Sequence, residues 1–382
     1  MTQAVQGYAE GYYGRLPSWQ ERRVLLDTLA RLGQNTYYYA PKEDARHRLN
    51  WREPYPSEWR GEFAAFCDYA RARGIRVVAG VAPGLDFDFK DLHGGPDRQA
   101  LFDKSRQLLS DGADCLSLLM DDIDEDFHRR SGGMTSEGQA HARLANELAD
   151  ELGESLWVTP RIYANELAAS APEYLPDFLA TLQESHSVLY CGRDIVTRQA
   201  DCRDIHQVAP PSAHPLVLWD NLYANDYCPQ RLFVGAWSGR EQAAACVLNP
   251  TGLVHTDCLL LDMMASTRAG STDAADVWRE VMRRHGVPEE FEALAPWFAH
   301  PVFNGEPFGE PFVAPQPPDA SALAAIETCL WRWKTPLSRE WYPFIFGLKL
   351  DLLIQQGKMS SLRIRKTQSA PMALRLGAGE SS

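Results

Sequence analysis

The chain has 382 residues, of which 45% are hydrophobic and 23% charged, a composition typical of a folded globular protein. Its formal net charge of −13 argues against nucleic acid as a partner, because phosphate binding needs clustered lysine and arginine. No apolar stretch approaches the roughly 20 residues that cross a bilayer, and residues 1–7 lack the features of a signal peptide. The eight cysteines are scattered without metal-ligand spacing, which predicts reduced thiols in a cytoplasmic protein.

Predicted strands and helices alternate over the first 250 residues or so. Apolar, β-branched and aromatic runs predict strands at residues 5–8, 35–40, 75–79, 115–120, 156–159, 187–190, 215–219 and 244–248. Periodic apolar residues predict helices at 18–33, 57–74, 96–110, 136–152, 173–184 and 255–268. A strand about every 30–35 residues favours a closed (β/α)8 barrel. A doubly wound open sheet is the alternative, but no G-x-G-x-x-G loop follows the first strand.

The pattern changes after the helix predicted at 255–268. Residues 274–295 and 320–358 read as helices, and the Pro-rich stretch 300–318 between them cannot form regular structure. We therefore expect a catalytic barrel at residues 1–272 and a small α-helical domain at 273–365 that contains the 300–318 loop. The tail 366–382 is polar and rich in small residues, and we expect it to be disordered.

An acidic cluster directly follows the fourth predicted strand. The apolar run 115–120 ends in Asp121, Asp122, Asp124, Glu125 and Asp126. In a (β/α)8 barrel, side chains at the carboxyl end of a strand lie at the mouth that carries the active site. Carboxylates this close together repel one another, so we expect the pKa of Asp122 to be raised. A solvated acidic loop is the alternative interpretation.

Residues suited to binding a polar ligand also follow most of the other strands. They are Glu10, Gly11, Tyr13, Lys42, Tyr163, Asn221, Asp226 and Asn249. Acids, amides, one lysine and several aromatic rings suit a sugar, whose hydroxyls need polar partners and whose faces need a flat apolar wall.

At these positions the chain resembles glycoside hydrolase family 84, which contains the O-GlcNAcases and bacterial β-N-acetylglucosaminidases, sometimes described as hyaluronidases. The resemblance covers about residues 5–270 and depends on motifs that occur in order along the chain. They are Glu10-Gly-Tyr-Tyr-Gly-Arg15, Asn35-Thr-Tyr, Tyr39-Ala-Pro-Lys-Glu-Asp44, His47-Arg48, Trp51-Arg-Glu53, Pro83-Gly-Leu-Asp86, Leu118-Leu-Met-Asp-Asp-Ile-Asp124, Trp219-Asp-Asn221, Ala224-Asn-Asp-Tyr227 and Leu248-Asn-Pro250.

The resemblance implies a (β/α)8 barrel that uses neither a metal nor another cofactor. It implies hydrolysis of terminal β-linked N-acetylglucosamine with retention, in which the acetamido group of the substrate attacks its own anomeric carbon and forms an oxazoline. Asp121 matches the residue that orients the acetamide, and Asp122 matches the general acid/base. The positions that match substrate-binding residues are Gly11, Tyr13, Lys42, Tyr163, Trp219, Asn221, Asp226 and Asn249. Tyr190 stands where the resemblance places a tryptophan on the pocket wall.

Two other functions remain open from the sequence. Asp121, Asp122 and Asp126 could hold Mg²⁺ against a phosphorylated substrate, although the basic residues that phosphates need are sparse. Alternatively, the pocket could bind N-acetylglucosamine without catalysis. The expected partner is a glycan or glycoprotein that carries this sugar, with no role for nucleic acid or membrane. Six aromatic residues between Trp331 and Phe346 are expected to pack on the barrel or on a second subunit, so the C-terminal helices are a candidate surface for a homodimer.

Overall fold

A closed parallel barrel of eight strands confirms the predicted fold. The computed structural model describes residues 4–123, 127–240, 242–270, 273–299, 301 and 320–359. Within them the strands are β1 Gln6–Glu10, β2 Thr36–Tyr39, β3 Arg76–Val81, β4 Cys115–Leu119, β5 Trp157–Thr159, β6 Ser187–Tyr190, β7 Leu216–Asp220 and β8 Cys246–Leu248. Each strand pairs with the next, and β8 closes the barrel by pairing with β1 through Gln6 and Cys246.

Helices separate the strands from β1 to β6 where the sequence predicts them, with one short helix in addition after β4, and the remaining helices follow β8. They are α1 Trp19–Arg31, α2 Ser57–Arg71, α3 Pro96–Ser110, α4 Phe127–Arg130, α5 Glu137–Leu152, α6 Tyr174–Thr181, α7 Val254–Ala269, α8 Ala274–Arg284, α9 Ala295–Phe298, α10 Ala320–Trp331 and α11 Pro336–Gln355. The predicted capping box is present, since Ser18 and Glu21 bond reciprocally at the start of α1. The helix predicted at 274–295 is shorter, because α8 ends at Arg284 and Pro288 follows before a 3₁₀ turn.

Alternation along the strands determines which side chains enter the barrel. The interior cluster contains Tyr38 and Ala40 of the β2 segment, Leu119 of β4, and Val217 and Trp219 of β7. The two members from the β2 segment are two residues apart, and so are the two from β7. Two residues is the period with which a strand returns to the same face. The next inward positions are therefore 42, 121 and 221, which are occupied by Lys42, Asp121 and Asn221.

Residues of the opposite parity face the surrounding shell and form buried ion pairs. Glu10 is fully buried, accepts two hydrogen bonds from Arg22 at 2.6 and 2.9 Å, and accepts a third from Tyr37 at 2.6 Å. The expectation that Glu10 lies at the mouth is therefore wrong, because the alternation that points Gly11 inward turns Glu10 outward. Asp220 likewise accepts a bond from buried Arg240 at 3.0 Å.

The chain divides into two compact units. One contains Met1–Asn221 and Gly239–Gly252, and the other contains Leu222–Ser238 and the chain from Leu253 onward. The tail 366–382 lies outside the described residues, as does the Pro-rich stretch 300–318 apart from Pro301. Of the helices that the structure describes, none is both long and apolar enough to cross a membrane.

Candidate active site

The end of β4 brings two adjacent carboxylates to the barrel mouth. The strand ends at Leu119, and the pairing continues for one more residue as the Met120 N–H donates to the Thr159 carbonyl at 2.9 Å. Asp122 then adopts a φ of +52°, and it is the single non-glycine residue with positive φ in the described parts of the chain. This left-handed conformation costs roughly 1–3 kcal/mol for a residue with a side chain. Because of this turn, the adjacent side chains of Asp121 and Asp122 can both reach the same side of the barrel mouth.

Lys42 lies between the two carboxylates. Its ammonium donates to Oδ2 of Asp121 and lies 3.7 Å from Oδ2 of Asp122. The side chains of Lys42 and Asp121 are 2% and 10% exposed, whereas that of Asp122 is 32% exposed. Oδ1 of Asp121 is buried and has no hydrogen-bond partner in the part of the chain that the structure describes. Asp121 thus keeps one oxygen available as an acceptor for a group that enters the mouth.

Asp122 is held by two phenols from different loops. The Tyr163 hydroxyl donates to Oδ1 at 2.7 Å, and the Tyr13 hydroxyl donates to Oδ2 at 2.9 Å. Burial and the Asp122 carboxylate raise the pKa of both phenols far above the usual value, so both remain donors. Burial by itself raises the pKa of Asp122, but Lys42 and the bonds from Tyr163 and Tyr13 outweigh it, and the pKa lies below the ordinary range. The prediction of a raised pKa for Asp122 is therefore wrong for this arrangement.

A hydrogen-bond network joins β7, β8 and β1 beside the carboxylates. Oδ1 of Asn221 accepts from Nε1 of Trp219 and from Nδ2 of Asn249, both at 2.9 Å. Oδ1 of Asn249 in turn accepts from the Gly11 N–H at 3.1 Å. Nδ2 of Asn221 donates to the Ile195 carbonyl at 3.0 Å. An amide has two acceptor sites and two donors, so the acceptor sites of Asn221 are filled, while Asn249 retains one of each.

Gly11 has no side chain because Trp219 occupies the space. A Cβ built at residue 11 would lie 2.3 Å from Cζ2 and 2.6 Å from Cη2 of the indole. The indole packs edge-on against Tyr38 with ring centroids 5.2 Å apart. Trp219 therefore forms a flat apolar surface next to the polar network, as a sugar site requires.

Asp226 and Tyr190, also selected from the sequence, contact other residues. Asp226 is half-buried and belongs to the second unit, where its Oδ1 accepts the Tyr227 N–H at 2.9 Å. Its contribution to the site stays a prediction. Tyr190 is fully buried, and its hydroxyl donates to Asn165 at 2.7 Å. The neighbouring Leu189 and Cys191 belong to the interior cluster, so the alternation turns Tyr190 outward and the expectation of a wall position is wrong.

Sequence reasoning assigned no role to Arg48, which contacts the backbone of Asp122. This arginine is 7% exposed, and its Nη2 donates to the backbone carbonyl of Asp122. The signal available was the His47-Arg48 motif, but no pattern along the chain relates it to a residue 74 positions later.

The metal alternative depended on Asp126, which lies outside the described residues. Across the ranges that the structure describes, no group of three or more His, Cys, Asp or Glu side chains is arranged to hold a metal ion.

Comparison with known proteins agrees with this geometry. A profile of the β-N-acetylglucosaminidase family matches residues 6–295, which is most of the chain and all eight strands. The chain belongs to this family. The family resemblance read from the motifs is therefore confirmed.

Relatives of this family member include curated mammalian proteins. It is 31% identical over 241 residues to the protein O-GlcNAcases of Rattus norvegicus and Mus musculus, which covers 62% of this chain and 26% of each relative. The match therefore spans about a quarter of the length of those relatives. Among solved structures, a mutant O-GlcNAc hydrolase of Thermobaculum terrenum superimposes with a TM-score of 0.76 over 96% of this chain and 86% of that one. The identity is 19%, so this likeness shows the fold alone.

Proposed function

We propose that the chain is a retaining β-N-acetylglucosaminidase in which the acetamido group of the substrate is the nucleophile. The observation that carries the proposal is that Asp121 and Asp122 both approach one ammonium, that of Lys42. A retaining enzyme with its own nucleophile places two carboxylates about 5–5.5 Å apart on opposite sides of the bond that breaks. Two adjacent residues on one side of the mouth suit the substrate-assisted exception instead.

Asp121 receives the acetamide N–H. Its Oδ2 accepts from Lys42 and its Oδ1 is the unpartnered acceptor, so the acetamide N–H gives the second oxygen a donor as well. Because the site is buried, this carboxylate also stabilises the positive charge that develops on the acetamide as its oxygen attacks. The new bond joins the acetamide oxygen to the anomeric carbon and gives an oxazoline.

Asp122 transfers the proton in both steps. In the first step its carboxylic acid protonates the glycosidic oxygen as the bond to the anomeric carbon breaks. In the second step its carboxylate removes a proton from the water that attacks the anomeric carbon and opens the oxazoline. Each step inverts the configuration of the anomeric carbon, so the two steps together retain it. Tyr13 and Tyr163 orient the two oxygens of Asp122 between these steps.

The polar network binds the sugar. Asn249 retains one N–H and one acceptor site for hydroxyls, and Trp219 offers its indole face. Asn221 holds both of these side chains, and Gly11 permits the close approach of the indole. We include Asp226 as a hydroxyl acceptor from the family motif alone.

The experiment that tests this mechanism varies the nucleophile within the substrate. Aryl β-N-acetylglucosaminides with mono-, di- and trifluorinated acetyl groups should be hydrolysed progressively more slowly, because each fluorine weakens the attacking carbonyl. A thiazoline analogue of the oxazoline should inhibit tightly, as stable mimics of high-energy species do. A flat response to fluorination, or a glycosyl–aspartate ester trapped for mass spectrometry, would refute it.

We propose a protein-linked sugar as the substrate, supported by the names of the two mammalian relatives. Hydrolysis of a serine-linked N-acetylglucosaminyl peptide should then be faster than hydrolysis of a chitin disaccharide at equal concentration. The opposite order would indicate a polysaccharide fragment as the substrate. The eight free cysteines support a reducing compartment such as the cytoplasm.

We further propose that the helices after residue 272 form a separate domain that mediates homodimerisation. On α10 and α11, Trp331 and Tyr342 are 49% and 41% exposed, and their ring centroids lie 6.3 Å apart. Sedimentation of the full chain over a range of concentrations should show a dimer that Trp331→Ser weakens. A monomer at every concentration would contradict this proposal.

A further inference from the structure

We propose that Arg48 is a positioning residue for the general acid/base, and that it acts by holding the backbone of Asp122 in its left-handed turn. The inference rests on the proposed function, because it assigns Arg48 a role in the proton transfer described above. Arg48 itself touches neither the sugar nor the reacting atoms in this scheme.

The first observation is the contact itself. Nη2 of Arg48 donates to the carbonyl oxygen of Asp122, the residue whose φ of +52° is unusual for a side-chain-bearing residue. A left-handed residue persists only where its surroundings over-determine it, and a charged donor on its carbonyl is such a constraint. The turn determines where the Asp122 carboxylate points, so the arginine contact determines it too.

The second observation is that Arg48 also lies beside one of the phenols that orient the carboxylate. Its guanidinium carbon is 6.0 Å from the ring centroid of Tyr13, whose hydroxyl donates to Oδ2 of Asp122 at 2.9 Å. Arg48 therefore supports both the backbone of the acid and one of its two side-chain partners.

The third observation is that the loop carrying Arg48 is fixed in place. The preceding residue, His47, donates from Nδ1 to the Gly80 carbonyl at 2.9 Å and accepts the Ala82 N–H on its own carbonyl at 2.9 Å. Lys104 donates to the Arg46 carbonyl at 3.2 Å. The backbone that carries Arg48 is thus anchored to the end of β3 and to α3, so it provides a fixed base for the side chain.

The test measures how the rate depends on the leaving group. Wild type, Arg48→Gln and Arg48→Lys would be assayed on β-N-acetylglucosaminides whose leaving groups range from a nitrophenol to an alkyl alcohol. Poor leaving groups need a well-placed proton, whereas activated phenols need little protonation. General acid catalysis contributes about 10²–10⁴-fold, so Arg48→Gln should slow the alkyl glycoside about 10–100-fold and the nitrophenyl glycoside less than about threefold. Arg48→Lys, which keeps a charged donor, should show the same selectivity with a smaller loss.

Arg52→Gln is the matched control. Arg52 lies four residues further along the same loop and pairs with Asp86 and Asp97, both at 2.6 Å, without contacting Asp122. The Arg52→Gln variant should be less stable than wild type, but its rate should depend on the leaving group as the wild-type rate does. Melting temperatures and binding of free N-acetylglucosamine would be measured for every variant, and binding should change less than about threefold for Arg48→Gln.

Three outcomes separate the possibilities. A steeper leaving-group dependence in the Arg48 variants alone supports the inference. Equal losses on all substrates, or no loss, overturn it while the proposed function stands. If the wild-type chain hydrolyses none of the glycosides, the proposed function itself fails, and the inference fails with it.

Discussion

A single methyl group at residue 11 should disturb the sugar site, since it would occupy space that the Trp219 indole fills. The Cβ of Gly11→Ala would lie 2.3 Å from Cζ2 of Trp219. Two carbons need about 3.5 Å, so the indole or the strand must move by roughly 1 Å. The indole has little room to retreat, because its edge-on neighbour Tyr38 is 5.2 Å away between centroids.

The movement would break hydrogen bonds that meet at Asn221 and Asn249. The bonds at risk are Gly11 N–H to Asn249 at 3.1 Å and Trp219 Nε1 to Asn221 at 2.9 Å. At about 0.5–1.5 kcal/mol each, two such bonds amount to roughly 1–3 kcal/mol. We therefore expect the affinity for a thiazoline inhibitor to fall about 5- to 150-fold. Overpacking should also lower the stability by about 1–3 kcal/mol.

Calorimetric titration of the inhibitor and thermal unfolding would measure the two effects. Gly61→Ala is the matched control, because residue 61 lies within α2 and a Cβ there meets nothing within 4 Å. Alanine is the better helix former, so this variant should bind normally and unfold at the same temperature or higher. If Gly11→Ala behaves like Gly61→Ala in both measurements, the close packing of Trp219 is not needed for the site.

Four further predictions concern the acid/base, the sugar and the response to pH. Asp122→Asn should slow alkyl glycosides far more than nitrophenyl glycosides, and equal losses would exclude it as the acid. Tyr163→Phe removes a hydrogen bond that lowers the pKa of Asp122, so the alkaline limb of the pH profile of kcat/KM should move to higher pH. An unchanged alkaline limb would contradict this. Asp226→Ala should weaken inhibitor binding by roughly 1.5–3 kcal/mol, and wild-type affinity would remove it from the pocket. Burial lowers the pKa of His47 and His141 from 6.5 to about 3, so the folded state is more stable when both imidazoles are neutral. The melting temperature should therefore fall as the pH drops from about 6.5 towards 3, and a constant value would refute that.

Strand periodicity explains why so much of the site could be predicted from the sequence. The strand ends were visible as apolar runs, and alternation then placed the inward residues without knowledge of their contacts. Lys42 and Asn221 illustrate this, since each lies two residues beyond an interior residue of its own segment. The same rule explains the errors at Glu10 and Tyr190. Both occupy strand positions whose side chains point away from the barrel interior, and the motifs alone do not show this.

The charge state of Asp122 was beyond sequence reasoning for a different reason. Its neighbour in the chain is a carboxylate, which predicts a raised pKa, but its neighbours in space include an ammonium and two phenols. Tyr13 is 109 positions away and Tyr163 is 41 positions away, and each contacts one oxygen at hydrogen-bond distance. Contacts of that sequence separation depend on the exact course of loops, which no local pattern records. The position of Arg48 was unpredictable on the same grounds.

The lowered pKa of Asp122 has a consequence for the order of events. An acid must carry its proton when the glycosidic bond breaks, and Lys42, Tyr13 and Tyr163 all favour the charged form. In the scheme proposed here, a substrate that covers the partly exposed carboxylate removes water from it and raises its pKa. Protonation of Asp122 is then coupled to substrate binding. Because Asp122 gives its proton to the departing aglycone, it is left as a carboxylate, which the same three neighbours stabilise. This is the form required to activate water in the second step.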